Sequence, residues 1–182
     1  MRGEQTLCGW HAVQAALVHR PDAVLRLFFA ERHQAVLGAV LHQLAAGRRI
    51  YRRVGDEELE RLAGSRAHQG IVAILRAPVM AWSEAPWLQE LARAPGVTLA
   101  LDGVGNPHNL GALARTAAFL GARGLLLSEQ GAEAIASTAA WRTAEGGLEV
   151  LPVRRSRDLA GDIGGACRSG RPRLLRTTCP DK

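Results

Sequence analysis

The chain has 182 residues, 47% hydrophobic and 22% charged, a balance that excludes a disordered or fibrous protein and suits one or two small domains. No apolar run approaches the roughly 18 residues of a membrane span, and the opening MRGEQTLCGWH lacks the apolar core of a signal peptide, so a cytoplasmic chain is expected. The formal charge of +6 points toward nucleic acid, yet residues 154–182 carry seven arginines and Lys182 against only Asp158, Asp162 and Asp181, so the basic excess is a C-terminal property.

In chain order, Trp10, Val13, Ala16 and Leu17 fall on one helical face, and Arg20-Pro21-Asp22 turns the chain into the extended run Val24 to Phe29. Val36, Leu37, Val40, Leu41 and Leu44 predict an amphipathic helix from Glu31 to Ala46, closed by Gly47. A short strand at Ile50-Tyr51, a helix Asp56 to Ala63 capped by Asp56, and an apolar strand Gly70 to Leu75 complete an α/β domain over residues 1–76. Residues 77–96, with Pro78, Pro86 and Pro95, read as a linker containing one short helix, Trp87 to Arg93.

A second α/β unit, residues 97–182, opens with the strand Val97 to Leu101, a turn, a helix from about Asn109 to Leu120 and the strand Gly124 to Leu127, which predicts parallel pairing. A helix near Glu133 to Ala140, a strand Val150 to Val153, a helix near Arg157 to Cys167 and a strand Arg173 to Thr177 continue the alternation. Cys8, Cys167 and Cys179 have no zinc-ligand spacing and read as reduced thiols. No metal site is expected.

The turn after Leu101 is the favoured place for chemistry, because ligands of open α/β sheets bind beyond the carboxyl ends of strands. His108 stands where a dinucleotide fingerprint needs glycine, and Pro107 opposes the tight glycine turn. Asn109 reads as the helix N-cap. Arg115 lies on a helix otherwise built of Leu110, Ala112, Leu113, Ala114, Ala117, Ala118, Phe119 and Leu120, which is expected to pack on both sides, so its guanidinium either snorkels out or meets an anion. His11 and His68 read as structural histidines, and His108 as a loop-shaping hydrogen-bonding group.

Asn106-Pro107-His108-Asn109-Leu110-Gly111 followed by Arg115-Thr116-Ala117 resembles the first signature of the SpoU (TrmH-like) RNA ribose methyltransferases. Arg142-Thr143-Ala144-Glu145-Gly146-Gly147-Leu148-Glu149 with Leu151-Pro152-Val153 resembles that family's next block. Cys8 to Val13 and Ala67 to Ala73 resemble the opening and closing of its ribosomal-protein-like substrate-binding domain. The resemblance implies an N-terminal RNA substrate-binding α/β domain followed by a parallel-sheet SPOUT-type methyltransferase domain. It also implies methyl transfer from S-adenosylmethionine to a ribose 2′-hydroxyl of rRNA or tRNA, in a homodimer whose site is shared between subunits. Arg115 would contact the target ribose and phosphate. Because an arginine stays protonated below a pH of about 12, stabilising a developing alkoxide suits it better than acting as a base. Asn109 would order the loop and hold the arginine or phosphate, and the N–H groups opening that helix would add anion contacts.

The family's last two signatures, a Leu-Gly-x-Glu-like and an Asn-Val-Ser-x-Ala-like block, form most of the cofactor pocket and tie the C-terminal trefoil knot that builds the dimer. Neither follows Thr178. The chain is therefore expected to be C-terminally truncated, to keep an open sheet edge, and to neither bind S-adenosylmethionine tightly nor methylate RNA by itself. The alternative to an enzyme is a non-catalytic RNA-binding remnant.

Overall fold

A computed structural model describes residues 3–93 and 95–169. The N-terminal domain is a four-stranded sheet in the order β1-β4-β2-β3, formed by β1 (Glu4–Cys8), β2 (Val24–Phe29), β3 (Ile50–Arg53) and β4 (Ile71–Arg76). Strand β4 runs antiparallel to β1 and β2, and β3 runs parallel to β2. Alternation along β4 divides the core: Ile71, Ala73 and Leu75 join one apolar cluster, whereas Val72 and Ile74 join Cys8, Phe28 and Leu59 on the other face. The helices are α1 (Trp10–His19), α2 (Gly38–Ala46) and α3 (Asp56–Ala63).

Two local expectations change here, one holds, and one strand is new. Strand β1 has no apolar run of its own and exists through its pairing with β4. The helix expected over Glu31 to Ala46 is a single 3-10 turn, Glu31–His33, followed by α2, and Val36 is exposed. His33 stacks on Trp10 at 4.5 Å and its Nε2 lies 2.9 Å from the Gln69 carbonyl, so tertiary contacts draw this segment away from helical periodicity. Gly47 does end α2, but with φ −79; the left-handed residue is Arg48 at φ 51. Asp56 is the first residue of α3 and Gly55 holds the cap position, since the Asp56 carboxylate meets Arg32 at 3.2 Å instead of a backbone N–H.

The second domain is a three-stranded, all-parallel sheet in the order β5-β6-β7, from β5 (Thr98–Leu101), β6 (Gly124–Leu127) and β7 (Val153–Arg155). Its helices are α4 (Ala85–Arg93), α5 (Pro107–Phe119), α6 (Glu129–Ile135), α7 (Thr138–Ala144), α8 (Gly147–Val150) and α9 (Leu159–Ser169). The expected helix Glu133 to Ala140 is split between α6 and α7, because Ser137 caps a new helix by accepting from the Ala140 N–H at 3.2 Å. The expected strand Val150 to Val153 starts only at Val153, with Val150 closing α8; Pro152 supplies just its carbonyl, which accepts from Leu125 N–H at 2.9 Å. The expected strand Arg173 to Thr177 lies outside the described residues.

Within 77–96, α4 packs on α9, and residues 81–83 lie along the outer edge of β7. Arg155 N–H donates to the Ala81 carbonyl at 3.1 Å, and Ser83 N–H to the Arg155 carbonyl at 2.8 Å. The Trp82 ring there meets the guanidinium groups of Arg155 and Arg157 at 3.8 and 4.2 Å. Among the described residues no strand pairs with the far edge of β5, and the sheet is not closed into a knot.

The two domains share one apolar cluster, in which Val13, Ala16 and Leu17 of α1 sit with Trp141, Ala144 and Leu148. Thr138 Oγ1 donates to the Thr6 carbonyl at 2.9 Å, fastening α7 to β1. Gly146, at φ 94, lets the α7–α8 corner approach α1: a Cβ there would lie 2.6 Å from that of Ala15.

Candidate functional site

The turn from β5 into α5 is built around Asn106. Its Oδ1 accepts from the N–H groups of His108 at 2.9 Å and Asn109 at 3.3 Å. Proline disfavours helical backbone in the residue before it and suits the first helical position, so Asn106 stays extended and α5 begins at Pro107. Asn106 is therefore the N-cap expected of Asn109, which is the third helical residue, and two of the N–H groups expected to meet an anion are already satisfied. Asn109 itself is exposed, and its side chain makes no hydrogen bond among the described residues.

Leu110, Gly111, Ala114 and Ala117 form the buried face of α5. Gly111 permits close packing on α7, since a Cβ there would lie 2.4 Å from the Ala140 carbonyl oxygen. The expected packing on both sides is not present among the described residues: Leu113, Phe119 and Leu120 are exposed. Arg115 flanks the buried face, 57% exposed, and its Nη2 pairs with Glu145 Oε2 at 3.0 Å. Six residues along a helix rotate a side chain by roughly 120° net, so Asn109 and Arg115 do not converge. His108, seven residues before Arg115, shares its side of α5, with Nδ1 3.2 Å from Thr143 Oγ1.

Arg115 faces a cleft of about 260 Å³ between the two domains. The second domain contributes Arg115, Arg142 and Glu145, and the first contributes Gly9, His11 and Gln69. Gly9, at φ 93, is required where the Arg142 stem crosses it: a Cβ there would lie 3.2 Å from Arg142 Cγ. Gln69 Oε1 accepts from the Trp10 N–H at 2.7 Å, which fixes this wall. His68 is buried and accepts at Nδ1 from the Gly70 N–H at 3.0 Å, in keeping with a structural role, whereas His11 lines the cleft. Cys8 lies behind Arg142; burial raises its thiol pKa, and the nearby guanidinium opposes this. Among the described residues Arg142 forms no ion pair, so the cleft presents one unpaired and one paired guanidinium. Sequence reasoning singled out neither Arg142 nor Glu145 as a site residue, although both lie in the 142–149 block.

Residues 6–80 match the model of the RNA 2′-O ribose methyltransferase substrate-binding domain, and residues 96–169 match that of the SpoU rRNA methylase family. The chain belongs to the SpoU (TrmH-like) family. Among SpoU relatives, the 23S rRNA (guanosine-2′-O-)-methyltransferase RlmB of Pseudomonas aeruginosa is 38% identical over 156 residues, 84% of this chain and 61% of that one. The tRNA/rRNA methyltransferase YfiF of Escherichia coli O157:H7, itself uncharacterised, is 34% identical over 154 residues, covering 84% of this chain and 44% of its own length. The SpoU chain described here thus spans about half the length of such relatives. An AdoMet-bound rRNA methyltransferase from Sinorhizobium meliloti has the same fold, with a TM-score of 0.66 at 22% identity over 91% of this chain and 58% of that one.

SpoU enzymes use S-adenosylmethionine, a sulfonium cation bearing an adenosine. Neither of two hollows among the described residues fits it. The interdomain cleft is small for such a ligand, and Arg115 and Arg142 against Glu145 leave it with a net positive charge. The other hollow, about 400 Å³ between α1 and α2, is apolar and lacks a carboxylate for the sulfonium or ammonium group. No helix among the described residues is long and apolar enough to cross a membrane.

Proposed function

We propose that this chain is the RNA-holding and ribose-positioning part of a cytoplasmic, S-adenosylmethionine-dependent 2′-O-ribose methyltransferase acting on rRNA or tRNA. The observation that carries this reading is the interdomain cleft, where Arg115 and Arg142 face residues of the substrate-binding domain. Guanidinium groups present paired N–H donors that match phosphate oxygens, and a wall supplied by each domain suits a ligand held by both. Arg115 orients the target ribose and its phosphate, and its fixed positive charge stabilises the alkoxide that develops at the 2′-oxygen. It does not take the proton, which passes to water, because a guanidinium does not release its own at neutral pH. Asn109, nearly two turns before Arg115 and on another side of α5, contacts the approaching RNA separately. The methyl donor supplies the transferred group, and a second copy of the chain in a homodimer would bring further walls.

A second reading, a non-catalytic RNA-binding module, is favoured by one observation: neither the interdomain cleft nor the hollow between α1 and α2 suits the cofactor. A transfer assay with labelled S-adenosylmethionine and total rRNA and tRNA separates the two. Transfer that is lost in Arg115→Ala supports the enzyme, and RNA binding without transfer in either protein supports the module.

A further inference from the structure

We propose that Glu145 is a resident counter-anion for Arg115, displaced by an RNA phosphodiester that Arg115 and Arg142 then hold together. The inference rests on the reading of the cleft as the RNA site and assigns a regulatory contact within it.

Glu145 occupies a position that local structure disfavours twice. It adopts φ 47 and ψ 41 directly after α7, a left-handed cap that favours glycine or asparagine. Its carboxylate also lies at the C-terminal, partially negative end of that helix, where a cation would be the favourable partner. Neither backbone nor helix dipole accounts for a glutamate there. The contact that does is the 3.0 Å ion pair with Arg115 on the neighbouring helix α5.

The pair is open to exchange. Both side chains are partly exposed, 57% for Arg115 and 38% for Glu145, so water and salt screen their attraction. Both line the same cleft as Arg142, which has no carboxylate partner among the described residues. A phosphodiester entering the cleft meets Arg142 first as a free cation and competes with Glu145 for Arg115. The outgoing carboxylate returns to solvent, so one ion pair replaces another. RNA affinity is thereby lowered, and Arg115 is released only when a phosphate is present to claim it.

The test is fluorescence anisotropy of the full 182-residue chain with a fluorescein-labelled stem-loop RNA at fixed ionic strength. Glu145→Gln should tighten binding about three- to fivefold beyond Glu57→Gln, an exposed change of equal net charge on α3. Glu145→Asn, which suits the left-handed backbone, should give the same gain and guards against a folding artefact. The gain should vanish in an Arg115→Ala background, and Arg142→Ala should weaken binding about tenfold. If Glu145→Gln binds no tighter than Glu57→Gln, or its gain persists without Arg115, the counter-anion is overturned while the RNA site stands. If Arg115→Ala and Arg142→Ala both bind RNA like the wild type, the cleft is not the RNA site and both readings fall.

Discussion

Arg20 grips Glu149 across the domain junction in a two-point contact, Nε to Oε2 at 2.5 Å and Nη2 to Oε1 at 2.7 Å, with the Glu149 side chain only 1% exposed. The same guanidinium lies 5.0 Å from the centre of the Trp141 ring. The cleft's two walls belong to different domains, so this junction sets its width. Removing Arg20 strands a buried carboxylate, whereas neutralising Glu149 does not. Arg20→Ala should therefore cost about 3 kcal/mol and lower Tm by on the order of 10 °C, with Glu149→Gln costing less, as read by thermal unfolding. Equal, negligible shifts in both would show that the pair does not hold the domains together.

Gly111 is expected to be less replaceable than Gly64, despite its ordinary backbone. A Cβ at Gly111 would strike the Ala140 carbonyl at 2.4 Å, and backbone cannot yield as a flexible side chain does. Gly64 has φ 62 but nothing near its missing Cβ. Denaturant unfolding should show Gly111→Ala losing about 2–3 kcal/mol, through forced separation of α5 and α7, and Gly64→Ala about 1 kcal/mol.

Asn106 and Asn109 should separate stability from RNA contact. Asn106→Ala removes the cap of α5 and should cost about 1 kcal/mol in equilibrium unfolding. Asn109→Ala removes an exposed side chain that makes no hydrogen bond among the described residues; its stability should change by less than about 0.5 kcal/mol, while RNA affinity falls. Unchanged RNA affinity in Asn109→Ala would remove that residue from the site.

Calorimetric titration of the 182-residue chain with S-adenosylmethionine should give no micromolar binding. The small cleft keeps a net positive charge from Arg115 and Arg142 against Glu145, which disfavours a sulfonium cation, and the apolar hollow between α1 and α2 lacks a compensating carboxylate. A micromolar dissociation constant would contradict this.

The elements legible in the sequence are those whose stability is written locally. Ile71 to Leu75 is a continuous apolar run because β4 is covered on both faces, and the 3.6-residue spacing of Val13, Ala16 and Leu17 follows from one buried face of α1. Strand β1 was not legible, since only its pairing with β4 makes Glu4 to Cys8 extended. The cap of α5 was misplaced by three residues because asparagine stands at both 106 and 109, and Pro107 decides between them. Arg115 stood out as a charge on an apolar helix. Arg142 and Glu145 did not, because neither the helical position of Arg142 nor the left-handed cap at Glu145 points to a ligand until α7 is folded beside α1 and α5.

The salt dependence of RNA binding tests the central claim, that Arg115 and Arg142 hold RNA phosphate in the interdomain cleft. Anisotropy titrations across a range of salt concentrations, with wild type and Arg115→Ala/Arg142→Ala matched for folding by circular dichroism, give the slope of log affinity against log salt. Each lost phosphate contact removes about 0.7–0.9 from that slope, and the two arginines share one phosphodiester, so the double variant should bind more weakly with a slope shallower by about that amount. Unchanged affinity and an unchanged slope in the folded double variant would contradict the account.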